Sequence, residues 1–205
     1  MLSKTEAVWR HLLVGAFAAN RRRWPSVTAV ADELGFGLST VHRALSRPVE
    51  MGAILISARG LRLVDPARLL LVWAGRRTLR RDVLKEDCLA AGAPAIELAL
   101  AQTGAILGGF GAVVAHLESN TIAGYDTVLV YREPSQPLLK LDLEPAPPGG
   151  GGTNLMVLEA DSLLSHYGTV TPLVQAYVDL FNLPGWQAGR FVAALTTRML
   201  DLDVA

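Results

Sequence analysis

Val27–Ser46 reads VTAVADELGFGLSTVHRALS, and its spacing decides how the N-terminal half folds. Ser26 stands directly before it as an N-cap for a helix over Val27–Leu34. Gly35-Phe36-Gly37 then breaks the pattern, and Gly35 lets the chain turn with positive φ. A further helix runs from Leu38 to Gly52. Ala31 is small where the two helices cross, and Val30, Leu34, Phe36, Val41 and Ala44 fall where both must bury a face. This is the pattern of a helix-turn-helix. It leaves Ser39, Thr40, His42, Arg43, Ser46 and Arg47 on the outer face of the later helix. A short polar and basic set of this kind suits base edges and phosphates in the major groove of duplex DNA. Pro48 lacks an amide hydrogen, so the helix is expected to kink or end near Arg47.

Working outward, Thr5–Asn20 reads as an amphipathic helix with Val8, Leu12 and Ala16 on one stripe. Arg21-Arg22-Arg23 ends it and joins the DNA-facing set. On the other side, Ile54–Ser57 and Leu61–Val64 read as a hairpin, with Arg59 at its tip and Arg62 in its second strand. A basic hairpin after a helix-turn-helix is a wing, placed to reach a phosphate or the minor groove. Asp65-Pro66 then opens a helix through Trp73 as N-cap and first-turn proline.

Charge divides the chain in the same place. Residues 1–81 hold 14 Lys+Arg against 5 Asp+Glu, and residues 82–205 hold 5 against 14. An overall charge of zero therefore hides a basic half suited to a polyanion and an acidic half that would repel one. Two domains are expected, 1–81 binding DNA and 82–205 serving partner interaction or regulation. With 51% hydrophobic and 19% charged residues the chain is a folded globular protein. The lone Cys88 excludes an intrachain disulfide and fits a cytoplasmic location. Leu98–Leu117 is uncharged and long enough for a bilayer, but its four glycines each cost about 1 kcal/mol in a helix interior. We therefore read helix–turn–helix in a water-soluble core there, and no membrane contact.

The acidic half reads as helices over Val83–Ala91, Ala95–Gln102, Gly111–Leu117, Leu173–Leu180 and Gln187–Leu200. Strands are expected at Thr127–Tyr131, Leu138–Leu143 and Leu155–Glu159, with Pro145–Gly152 as a flexible loop outside the core. The fold class is thus α+β: a winged helix-turn-helix followed by a mixed α/β domain with a small sheet.

One stretch invites comparison with an enzyme. Gly108-Gly109-Phe110-Gly111, a helix and then Tyr125-Asp126 loosely resemble a nucleotidyltransferase layout, whose magnesium site begins with an Asp-x-Asp pair. Here Val128 takes the second place, leaving Asp126 and Asp142 without the pair. The four histidines lack metal-ligand spacing, and no nucleophile motif or phosphate loop is present. Neither an enzyme nor a cofactor is expected.

The order of elements suggests a family. The segment Val64-Asp65-Pro66-Ala67-Arg68-Leu69-Leu70-Leu71-Val72-Trp73-Ala74 resembles the stretch after the wing in AbiEi-type antitoxins of type IV toxin–antitoxin systems. Gln102-Thr103-Gly104-Ala105 is similar to their Thr/Ser-Gly stretch, and Val174-Gln175-Ala176-Tyr177-Val178-Asp179-Leu180 to their Gln-x-Tyr-x-Asp-Leu helix. The resemblance implies a repressor that binds repeats in its own promoter and whose second domain antagonises a nucleotidyltransferase-like toxin. Homodimeric or cooperative binding on DNA is expected. The other readings are a degenerate or DNA-tethered nucleotidyltransferase-like enzyme and a one-component regulator with a small-molecule-sensing domain.

Overall fold

Ser3 and Glu6 form a reciprocal capping box that opens the first helix, α1 (Lys4–Ala19), in a computed structural model describing residues 1–135, 141–147, 149 and 151–200. The protein is α+β with two small sheets, and it divides into two compact units, Leu2–Arg77 and Thr78–Ala205 with Met1. The division falls just before the expected boundary at residue 81.

In Leu2–Arg77, α1 leads to a two-residue strand β1 (Arg23–Trp24), then α2 (Val27–Leu34) and α3 (Leu38–Glu50). Ser26 caps α2, accepting from the Ala29 amide at 3.0 Å, and Gly35 closes it in the left-handed region at φ 64°. A hairpin follows, β2 (Ile54–Ser57) and β3 (Gly60–Leu63), and β3 sits between β2 and β1 in an antiparallel sheet. The unit ends in α4 (Pro66–Arg76), capped by Asp65 through the Arg68 amide at 2.8 Å. Val8, Trp9, Leu12, Leu13, Val30, Val41, Ala44, Leu45, Leu63, Leu69 and Trp73 are its buried core.

α3 does not end near Arg47, one of the two outcomes its proline suggested. It continues to Glu50 with Pro48 buried inside it. The carbonyl that Pro48 leaves without a helical donor is that of Ala44, and the indole Nε1–H of Trp9 donates to it at 2.7 Å. The helix then closes in a Schellman arrangement around Gly52 (φ 73°). Gly52 N donates to Val49 O and Ala53 N to Pro48 O, both at 2.9 Å.

The second unit is built on a four-stranded sheet of β4 (Val83–Asp87), β5 (Ile106–Gly108), β6 (Val128–Arg132) and β7 (Leu155–Glu159), in the order β4-β7-β6-β5. β6 and β7 run parallel, and both outer pairs are antiparallel. Val128, Val130, Leu155 and Val157 bury one face with Ile96 and Leu100 of α5 (Ala93–Leu100). Leu129, Tyr131, Met156 and Leu158 bury the other. Both faces being covered explains why these strands read as continuous apolar runs. The helices α6 (Gly109–Leu117), α7 (Leu173–Phe181) and α8 (Trp186–Leu200) complete the unit.

Three expectations are corrected here. Val83–Ala91 is not helical: Val83–Asp87 pairs with β7, because the sheet satisfies its backbone and buries part of Val83. Leu98–Leu117 is not helix–turn–helix, since β5 intervenes and pairs with β6. Of the expected strand Leu138–Leu143, residues 138–140 lie outside the described residues and Leu141–Leu143 is not in a strand. The Pro145 loop, of which Pro148 and Gly150 are not described, is tied at its start: Ala90 N donates to Glu144 O and Ala146 N to Cys88 O, both at 2.8 Å.

Candidate nucleic-acid interface

The outer side of α3 follows from its helical period. Val41, Ala44, Leu45 and Pro48 face the core, so Ser39, His42, Arg43, Ser46 and Arg47 are exposed, with Thr40 at the margin. His42 and Arg43 make no ion pair among the described residues. Arg47 pairs with Glu50 one turn on at 3.4 Å, an exposed contact that competes weakly with any other partner. Ser46 Oγ donates back to the Arg43 carbonyl at 3.2 Å, so its hydroxyl retains acceptor capacity.

The hairpin presents a second basic surface. Leu61 and Leu63 point inward and Arg62 outward, and Arg62 lies directly opposite both Arg23 on β1 and Leu55 on β2. The row Arg23–Arg62–Leu55 therefore crosses the exposed face of the sheet. With Ser57, Arg59 and Gly60 it lines an open groove of about 410 Å³. Like charges facing each other across an antiparallel pair repel. Neither Arg23, Arg59 nor Arg62 has an acidic partner among the described residues. An anion laid over the groove would relieve this repulsion. Gly60 fixes the tip: at φ 106°, a Cβ there would collide with the backbone carbonyls of Trp24 and Pro25.

The arginine run before the hairpin does not act as one set. Arg21 turns inward, its guanidinium gripping Glu33 at 2.9 and 2.6 Å and lying 4.9 Å over the Trp24 ring. His11 Nε2 meets the same carboxylate at 2.8 Å. Those bonds, Arg21 foremost, hold Glu33 below the usual carboxylate range, while burial lowers His11. Arg22 is half-buried and Arg23 exposed. Thus Arg23 joins Arg59 and Arg62, and Arg21 serves the join between α1 and α2. Sequence reasoning missed Leu55, 54% exposed beside these arginines, because an apolar strand residue is expected inside.

The enzyme-like stretch of the second unit has a packing explanation. A Cβ on Gly108 would press on the Tyr131 ring, one on Gly109 on Leu129, and one on Gly111 on Glu97 and Leu107. The glycines thus allow α6 to start hard against β6. Phe110 stacks on Tyr125 at 5.0 Å, and Tyr125 donates its hydroxyl to Glu97 at 2.7 Å. Burial raises both groups above their ordinary values. Asp126 and Asp142 are exposed, and Val128 is fully buried in β6. Among the described residues no three His, Cys, Asp or Glu side chains gather to hold a metal ion. The family-like segments have structural roles too. Thr103 caps the end of α5, donating to Leu100 O at 2.7 Å. Gln175 and Asp179 are fully buried on α7, where Asp179 accepts the Tyr131 hydroxyl at 2.7 Å. Also among the described residues, no helix is long and apolar enough to cross a membrane.

No protein-family model, curated protein or solved structure matches the chain.

Proposed function

We propose that this chain is a sequence-specific, double-stranded-DNA-binding transcriptional regulator of the cytoplasm. In this reading Leu2–Arg77 is a winged helix-turn-helix, α3 enters the major groove, and the β2–β3 hairpin grips the backbone as the wing. The observation that carries it is the pairing of two exposed basic surfaces on one unit. Ser39, His42, Arg43, Ser46 and Arg47 are on α3, Arg23 and Arg62 face each other across the adjoining sheet, and Arg59 stands in its hairpin turn, all three without acidic partners among the described residues. Such a surface is matched by a polyanion.

The acidic second unit then serves partner contact without catalysis. The resemblance to AbiEi-type antitoxins makes that partner a nucleotidyltransferase-like toxin and the chain an autorepressor. Exposed Asp126 and Asp142, with Val128 buried in β6 where a second carboxylate would stand, support a non-catalytic unit. Magnesium-dependent nucleotide transfer by the purified protein, abolished by Asp126→Ala, would overturn that part.

Selecting bound duplexes from a random-sequence library tests the main claim. The full chain enriches a defined sequence, and Arg43→Ala or His42→Ala weakens preference for it by about 1–3 kcal/mol where a base edge is contacted. Equal loss on selected and random duplex would move Arg43 to a phosphate role. No enrichment would sink the proposal.

A further inference from the structure

Pro48 occupies a position in α3 where any other residue would donate its amide to the Ala44 carbonyl. Proline has no such hydrogen, and Ala44 is 1% exposed, so water does not replace it. Trp9 of α1 does so, its Nε1–H donating to the Ala44 oxygen at 2.7 Å. The indole is itself held: Trp9 is 1% exposed, and the Arg76 guanidinium of α4 lies 5.6 Å over its ring. α4 is in turn joined to α1, where Trp73 Nε1 donates to Glu6 at 3.3 Å. The same helix grips the far end of α3, because Arg68 Nη1 donates to the Met51 carbonyl at 2.6 Å. α3 is therefore pinned to the α1–α4 platform at two carbonyls, that of Ala44 within it and that of Met51 at its C-cap.

Resting on the DNA-binding reading above, we propose that Trp9 is a positioning residue for sequence recognition: its indole N–H, bonded to the carbonyl that Pro48 vacates, fixes the angle at which α3 presents Ser39–Arg47. The Met51 pin lies beyond the exposed face, towards the helix C-terminus. Without the Trp9 pin, the segment that carries His42 and Arg43 pivots about Met51. Base-edge contacts tolerate little displacement, whereas long arginine side chains follow a phosphate through small shifts. Losing the pin therefore lowers discrimination between sequences while leaving the number of phosphate contacts unchanged. Proline has a purpose in this arrangement, since it frees the carbonyl that the platform uses.

The test compares full-length proteins on a duplex selected by the wild type and on a shuffled duplex. Trp9→Phe removes the donor but also ring volume. An analogue of Trp9 with sulfur in place of the ring N–H removes only the donor. Each is made alone and with Pro48→Ala, which gives position 48 an N–H and returns the Ala44 carbonyl to the helix ladder. The expected result is an about tenfold smaller affinity ratio for either Trp9 change, an unaltered salt slope, and no recovery with Pro48→Ala, because a bond within α3 satisfies the Ala44 carbonyl without restoring its tie to α1. A loss seen in Trp9→Phe but not in the sulfur analogue would be one of ring volume, and recovery with Pro48→Ala would trace the loss to an unsatisfied carbonyl; either result, or an unchanged ratio, overturns the proposal. If the wild type selects no duplex, the DNA reading fails, and amide exchange decides on the pin separately. Exchange over α3 should quicken in both Trp9 variants relative to the wild type. Equal exchange in all of them would refute it.

Discussion

Replacing Arg23, Arg59 and Arg62 together by alanine should flatten the salt dependence of DNA binding without weakening the fold. These side chains line the hairpin groove, point to solvent, and have no acidic partner among the described residues. Arg23 and Arg62 also face each other across β1 and β3, so their removal relieves a repulsion. Each phosphate neutralised adds about 0.9 to the slope of log K against log salt. Raising salt from about 50 to 200 mM therefore weakens binding about 3.5-fold per contact, and about 40-fold for three. The assay is fluorescence anisotropy of a labelled random duplex titrated with full-length protein at several salt concentrations. The triple variant should show a slope smaller by about 2.7, with a melting temperature no lower than that of the parent. Parallel salt plots for the two proteins would refute the reasoning and remove the hairpin from the interface.

Three further outcomes follow from individual contacts. Gly60→Ala forces a side chain into a positive-φ tip against two backbone carbonyls, and should cost about 1–3 kcal/mol in denaturant unfolding; a variant as stable as the parent would contradict the tip geometry. Tyr131→Phe removes the hydroxyl that donates to buried Asp179 and should cost about 1–3 kcal/mol, measured the same way. Acidification should act oppositely on the two units, followed by amide exchange of the full chain. His11 is held below its ordinary 6.5 and Glu33 below 4.5, so their stabilisation of α1–α2 weakens as pH falls below 6.5 and again below 4.5. Glu97 is held above 4.5, so the α5–α6 region loses stability as pH rises through the interval above 4.5 and regains it on acidification. Matching pH profiles for Val27–Leu34 and Ala93–Leu100 would contradict these assignments.

Local chemistry made much of the first unit legible. Ser26, Gly35, Asp65 and Pro66 each have one good place in a helix or turn, and they occupy it. Leu155–Glu159 was readable because a strand buried on both faces is apolar throughout. What escaped depends on partners distant in sequence. Lys85-Glu86-Asp87 has the charge of a helix surface and becomes strand because β7 offers an edge. The three residues of β5 lie in a glycine-rich run too short to show a period. Two residues of β1 carry no pattern at all, yet they bring Arg23 opposite Arg62. Arg21 is set apart from Arg23 by Glu33, twelve positions along the chain, and by the Trp24 ring it lies over. Pro48 signals a broken helix unless the donor at Trp9, far upstream, is known.

Amide hydrogen exchange of the full chain, with and without saturating duplex DNA at low salt, tests the central claim most directly. The account predicts slowed exchange over Leu38–Glu50 and over Ile54–Ser57 and Gly60–Leu63, with Ala93–Leu100 and Leu173–Phe181 unchanged. No slowing across α3 in the presence of DNA, or slowing confined to the acidic second unit, would contradict it.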